Sequence, residues 1–343
     1  MSPKPDDDAI PEPVAALRRI AFLLERTRAE TYRVKAFRSA AATVLTLDPD
    51  ELRTRTKNGT LRDLPGVGSV TAAVITESLS GTVPEYLKKL EAQASGPLIE
   101  GGERFRAVLR GDLHSHSDWS DGGSPIEEMA FTALELGHDY LVLTDHSPRL
   151  KIANGLSAER LARQLPIVDA VNGSLGPAFR LLKGIEVDIL DDGSLDQTPQ
   201  MLEQLDVVVA SVHSKLKMDS ASMTRRMVAA VADPHTDVLG HCTGRAGNRP
   251  PSQFDARAVF EACAEHGTAV EINSRPERRD PPDELIGLAL EVGCVFSIDS
   301  DAHAPGQLDF VDYGCARAFE LGVPEDRVVN TWPIDRLLEW ANG

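Results

Sequence analysis

The chain has 343 residues, 42% of them hydrophobic, with 36 Lys and Arg against 53 Asp and Glu and a formal net charge of −17. This is enough apolar material for a large core, and no apolar run approaches the ~18 residues that span a bilayer. The charge is uneven: residues 14–94 carry 13 Lys and Arg against 9 Asp and Glu, whereas residues 111–343 carry 19 against 38. A mildly basic N-terminal module therefore precedes a strongly acidic body. That acidity disfavours nucleic acid unless the body holds divalent cations, which offset it locally.

Residues 1–13 contain Asp6-Asp7-Asp8 and four prolines, with no basic stretch followed by an apolar one. They read as a disordered acidic tail rather than a signal or transit peptide. Four scattered cysteines, Cys242, Cys263, Cys294 and Cys315, form no CxxC and fit a reducing, cytoplasmic location.

From residue 14 to 95 the pattern is helical. Ala16, Leu17, Ile20, Leu23 and Leu24 recur at helix spacing, as do Val34, Phe37, Ala41 and Leu45, and Asp48-Pro49 caps and opens a third short helix. Leu64-Pro65-Gly66-Val67-Gly68-Ser69 then runs into Ala72, Ala73 and Ile75. Gly66 and Gly68 permit a tight turn whose N–H groups point outward at the start of a helix, a place for a phosphate oxygen. A turn that simply needs glycine explains the same residues equally well.

Residues 96–109, with Gly96-Pro97 and Gly101-Gly102, read as a linker. From 110 to 343, short β-type runs near 108–113, 140–144, 180–187, 206–211, 237–240, 268–272 and 294–298 alternate with helical stretches near 125–136, 157–170, 219–232, 255–266 and 283–291. The alternation predicts a parallel sheet, and seven units predict a closed or nearly closed, TIM-like barrel with its chemistry just past the strand ends. Metal-ligand residue types fall there. Strand one ends in His114 and His116, with Asp121 following; strand two in Asp145-His146; strand three in Glu186 and Asp188. Strand four ends in His213, strand five in His241, and strand seven is followed by Asp301 and His303. The sixth offers Glu271 and Asn273 but no histidine. His138, His235 and His266 precede strands and are expected to play no part. One such histidine would be unremarkable; six of nine at one rim point to metal.

These motifs carry a resemblance. Leu-Pro-Gly-Val-Gly is similar to the helix-hairpin-helix motif, and Tyr32-Arg33-Val34-Lys35-Ala36-Phe37-Arg38-Ser39-Ala40-Ala41 resembles the preceding segment in the N-terminal domain of family X DNA polymerases. That resemblance implies DNA binding, with Lys35, Arg38, Gly66 and Gly68 as the contacts. Where lyase-competent members carry a Schiff-base lysine, this chain has Val74, so sugar-phosphate lyase chemistry is not expected. There is no room for a palm and fingers before the barrel. His-Ser-His with Ser-Asp-Gly, Thr-Asp-His, Gly-Ile-Glu-Val-Asp-Ile, Ser-Val-His, Gly-His and Asp-Ala-His resemble the PHP (polymerase and histidinol phosphatase) metallophosphoesterases. The resemblance implies three divalent ions, with Zn, Mn and Fe all compatible with imidazole and carboxylate ligands. His114, His116, Glu186 and Asp301 would hold one ion; Glu186, His213 and His241 a second; Asp121, His146 and His303 the third.

Asp145 and Asp188 are candidates to orient imidazoles, or else structural caps. Arg245, Arg249 and Arg275 are candidates to grip substrate phosphate, with solvated surface as the alternative. Asp145, Arg245 and Arg275 stand as the candidate catalytic residues. The first functional expectation is a DNA-processing phosphodiesterase acting as a 3′→5′ exonuclease, a 3′-end cleaner or an abasic-site nuclease. The alternative is a phosphomonoesterase on a small metabolite such as histidinol phosphate, which the acidic body favours. A non-catalytic DNA adaptor fits poorly with a complete ligand set.

Overall fold

The computed structural model describes residues 12–94 and 96–343; the expected tail, apart from Glu12 and Pro13, lies outside them. The chain divides into two compact units, Met1–Gly96 and Pro97–Gly343.

The first unit is helical: α1 (Pro13–Arg26), α2 (Thr31–Leu45), α3 (Pro49–Asn58), α4 (Ser69–Leu79) and α5 (Glu85–Gln93). The Asp48 side chain accepts from the N–H groups of Asp50 and Glu51, capping α3. Gly66 takes a left-handed φ of 74° at the hairpin, where an added Cβ would sit 3.0 Å from Ser39 Cβ. Ala16, Leu17, Ile20, Leu24, Phe37, Ala40, Val74 and Ile75 fill the core. Val74 is thus a packing residue on the inner face of α4.

The second unit begins with α6 (Glu103–Val108), inside the stretch expected to be a linker. Phe105 and Leu109, one helical turn apart, are buried in the barrel core, and the α6 start lies so close to the backbone near Cys315 that a side chain at Gly102 would meet Ala316 N at 2.7 Å. A six-residue helix has little stability of its own, so this one is held by packing that no local pattern announces.

Seven parallel strands follow in sequential order: β1 (Gly111–Ser115), β2 (Tyr140–Leu143), β3 (Arg180–Asp188), β4 (Val207–Ser211), β5 (Val238–Leu239), β6 (Ala269–Asn273) and β7 (Phe296–Asp299). Between and after them run α7 (Ile126–Glu135), α8 (Ala158–Leu175), α9 (Pro199–Leu202), α10 (Ser220–Val231), α11 (Ala256–His266), α12 (Asp283–Val292), α13 (Val311–Glu320) and α14 (Ile334–Ala341). Ser157, Asp219 and Asp255 cap α8, α10 and α11 through their side chains. Runs such as Val207-Val208-Val209-Ala210 are apolar throughout because both sheet faces are covered. Leu113, Val142, Leu182, Val209 and Val238 form one cluster with Trp332 and Leu337, while Ile185, Val187, Val208, Ala210 and Leu239 belong to another with the outer helices.

No ladder pairs β1 with β7. A single parallel bridge, Ser115 with Ala302, and several side chains close that seam instead. Asn330 donates to Gly111 O (3.0 Å) and Ile298 O (2.6 Å) and accepts from Ile298 N, and Asp299 accepts from Leu113 N at 2.8 Å. The barrel is nearly closed, as the seven repeats predict.

Candidate metal centre

Alternation along β3 puts Leu182, Gly184, Glu186 and Asp188 on one side, so Glu186 faces into the barrel at its C-terminal end. On β1 the pairing register slips between Asp112 and Ser115, an irregularity of the kind that re-aims side chains. His114, within that slip, and His116, just past it, both reach Glu186, at 3.4 and 3.7 Å. His146, His213 and His241 come from the ends of β2, β4 and β5 to within 2.7, 3.2 and 2.8 Å of the same carboxylate. Asp301 lies 3.5 Å from His116, and Asp121 lies 3.4 and 3.3 Å from His146 and His303. All nine ligand-type residues named from the sequence converge. Their donor atoms fall into overlapping groups spanning no more than 4.8 Å: His116, Asp121, His146 and His303; His114, His116 and Glu186; His114, His241 and Asp301; His146, Glu186 and His213. His116 joins the Asp121 group, and His241 sits with His114 and Asp301, so the grouping is more interlaced than the expected partition.

Backbone conformation tells the same story. His241 and Asp301 hold positive φ, 21° and 52°, which non-glycine residues adopt at a cost.

The electrostatics are those of a site built for cations. Both Glu186 oxygens, both nitrogens of His116, His213 and His241, and His114 Nε2 are buried without a hydrogen bond. An arrangement of this kind would be costly if nothing else bound there. Burial favours a neutral Glu186, but His213, His146 and His114 outweigh it and hold the carboxyl well below its usual range. Burial likewise lowers His213, yet Glu186 and Asp188 push it up to about 9. His116 is driven well below normal by burial and by His303 and His146. Soft imidazole and hard carboxylate donors in one buried cluster fit divalent metal ions.

Groups behind the cluster fix its geometry. The sixth strand contributes through Glu271, which lies 2.6 Å from His114 Nδ1 and turns Nε2 toward Glu186. Asp188 accepts from His213 N and lies 3.5 Å from its Nδ1. Asp145 does something else. Its carboxylate accepts from Ser117 N and Oγ, Ser120 Oγ and Gln164 Nε2, so it ties down the loop after β1.

Arg275 does stand at the cluster, with Nη1 2.8 Å from His303 Nδ1 and 3.0 Å from Asp301 O. Arg278, which sequence reasoning passed over, places Nε 2.8 Å from Asp301 Oδ2. Its only local signal is its position five residues beyond Asn273 on the β6 loop. Arg245 lies further out, lining a cavity with Arg249. His138 is buried without hydrogen bonds, His235 pairs with Asp233, and His266 is the exposed last residue of α11; none joins the cluster. In the helical unit Lys35 is exposed, and Gly68 leads into α4 with its N–H on Thr71 Oγ1. The Arg38 guanidinium makes a two-pronged ion pair with Glu25, at 2.9 and 2.7 Å.

A model of the helix-hairpin-helix domain matches residues 9–82, and a model of the PHP domain matches residues 112–275. The DNA polymerase/3′-5′ exonuclease PolX of Bacillus subtilis (strain 168) is 40% identical over 222 residues, which cover 64% of this chain and 38% of that one. A probable phosphatase of Thermoanaerobacter sp. (strain X514) is 30% identical over 231 residues, 64% of this chain and 89% of its own length. The probable phosphatase YcdX of Escherichia coli (strain K12) is 28% identical over 244 residues, 68% and 94% of the two chains. Barrel, buried cluster and relatives together define a metal-dependent phosphoesterase. The chain belongs to the PHP family, with a helix-hairpin-helix domain ahead of its barrel.

Proposed function

We propose that this phosphoesterase is a DNA-processing phosphodiesterase, acting on 3′ ends or abasic sites, and that it carries no polymerase activity. The reading also places three divalent ions on His114, His116, Asp121, His146, Glu186, His213, His241, Asp301 and His303. The observation that carries it is the pairing, on one chain, of a helix-hairpin-helix domain with a buried histidine–carboxylate cluster. Similarity to the B. subtilis polymerase/exonuclease supports the choice of substrate, although the chain spans only 38% of that relative's length. The barrel follows the helical unit directly, β1 starting at Gly111, which leaves no space between them for polymerase subdomains.

When bound, divalent ions supply a water of lowered pKa and neutralise the phosphate oxygens. The chain's own residues do the rest. Glu271 holds His114 in the tautomer whose Nε2 is free to ligate. His303 Nδ1 faces Asp301 O at 2.9 Å and Arg275 Nη1 at 2.8 Å, which together fix the ring beside the cluster. Arg275 and Arg278 offer guanidinium N–H groups to the scissile phosphate. Burial keeps bulk water off the cluster, so each charge acts at close to full strength. No serine or cysteine nucleophile is required.

A second reading is a phosphomonoesterase on a small metabolite. It is favoured by the probable phosphatases, which this chain matches along 89% and 94% of their length, and by the acidity of the barrel. One assay separates the two. With Mn²⁺, the full chain should shorten 3′-labelled or 5′-labelled DNA, and His114→Ala should abolish the shortening. Turnover of histidinol phosphate alone, with DNA left intact, would replace the first reading by the second.

A further inference from the structure

The loops after β5 and β6 line an open cavity of about 660 Å³ whose wall includes Arg245, Arg249, Arg279, Pro282, Asp283 and Glu284. Asp280, fully buried, ties its two sides together by accepting from Thr243 N, Thr243 Oγ1 and Arg245 N. The cavity wall is therefore anchored rather than draped.

The cations in it are not equally occupied. Arg279 pairs with Asp283 at 2.7 Å. Arg249 uses Nε on Gly244 O at 2.7 Å. Arg245 makes no side-chain hydrogen bond or ion pair among the described residues. Behind Arg249 stands Arg278, whose Nη1 is buried with no hydrogen-bond partner. Burial, and then the like charge of Arg278, lower the Arg249 pKa. Guanidinium groups gathered with donors to spare form a site for an anion, and the fork geometry of arginine matches phosphate. The acids nearby do not cancel it: Asp283 is already paired with Arg279 and Arg317, and Glu284 is exposed.

We propose that this cavity is a second phosphate subsite, in which Arg245 and Arg249 hold a non-scissile phosphate of the substrate. Because Arg278 links the cavity to Asp301 of the cluster, the two phosphates would belong to one strand, with its end at the metal centre. The substrate class is then an oligonucleotide presenting at least two phosphates, and a single-phosphate ester leaves the cavity unused. This deepens the DNA reading and rests on it for the scissile step, but the cavity can be tested separately.

The test uses the full metal-loaded chain and Arg245→Ala, chosen because the Arg245 side chain has no protein partner to lose. Two measurements are made: kcat/KM on 5′-phosphorylated oligothymidylate and on 4-nitrophenyl phosphate, and anisotropy of the labelled oligonucleotide in Ca²⁺. The ratio of oligonucleotide to monoester kcat/KM should fall at least about tenfold, with the slope of log Kd against log salt falling by roughly 0.7. Adding Arg249→Ala should deepen both effects, while Arg249→Lys should restore part of the affinity. An unchanged ratio and an unchanged salt slope would overturn the subsite. If the wild type cleaves no DNA but Arg245→Ala still weakens anisotropy binding with the reduced slope, the subsite stands and the DNA-cleavage reading falls.

Discussion

Two buried glutamates show what separates the two units. Glu25 in the helical unit meets Arg38 in a two-pronged ion pair with both side chains largely out of solvent. Glu186 in the barrel is just as buried, but it faces five imidazoles and makes no hydrogen bond. The first carboxylate is matched by a fixed cation within the chain. The second is surrounded by imidazoles that already favour its charge and that would ligate divalent ions beside it. A buried charge in a stable scaffold thus reads as structure or as function according to whether the chain itself completes its partners.

The sharpest way to break this contrast is to neutralise each in turn. Glu186→Gln should cut phosphoesterase activity by at least about a thousandfold, a loss on the scale of removing a principal transition-state stabiliser. Arg38→Ala should do the reverse, costing about 3 kcal/mol in denaturant titrations while leaving turnover of a small phosphate ester untouched. An Arg38→Ala protein of full stability would erase the distinction.

Metal removal comes next in size. Chelation should lower the barrel's stability by about 4 kcal/mol for an ion present at a thousand times its Kd, read as a drop in Tm that readdition of Mn²⁺ reverses. No change on chelation would mean that the cluster does not bind ions appreciably.

A smaller effect concerns a histidine outside the centre. Burial, and then Arg106, lower the His138 pKa to about 3. In the unfolded chain His138 takes its proton near pH 6.5. Between about pH 6.5 and 3 the unfolded state therefore binds the extra proton, so this contribution to stability is full above pH 6.5 and is lost as the pH falls. Replacing His138 by Gln should flatten the urea midpoint over that window; an unaltered pH slope would show that His138 is not the responsible group. The smallest effect belongs to exposed Lys35 in the helical unit. Lys35→Ala should reduce the salt slope of DNA binding by about one without altering chemistry on a small ester.

Much of this was legible in the residues because it rests on short-range rules. Ser157, Asp219 and Asp255 announce helix starts through caps that need only the next three residues, and strand–helix alternation carries the ligands to one rim. What the local pattern does not announce are pairings at a distance. Glu25 lies 13 residues from Arg38, so nothing local announces their ion pair. Asp145 adjoins His146 in sequence, yet its partners Ser117, Ser120 and Gln164 arrive from elsewhere. Glu271 orients an imidazole 157 residues earlier, and Asn330 closes the barrel seam by one side chain that no periodicity marks. The α6 helix escaped because its stability comes from what Phe105 and Leu109 bury against.

The most direct test of the cluster at Glu186 is a count of ions. Elemental analysis of the purified full chain, dialysed against trace divalent metals, should give three ions per chain for the wild type and at most one for Glu186→Gln. One ion or none in the wild type, or a count indifferent to the substitution, would contradict a polynuclear centre built around that carboxylate.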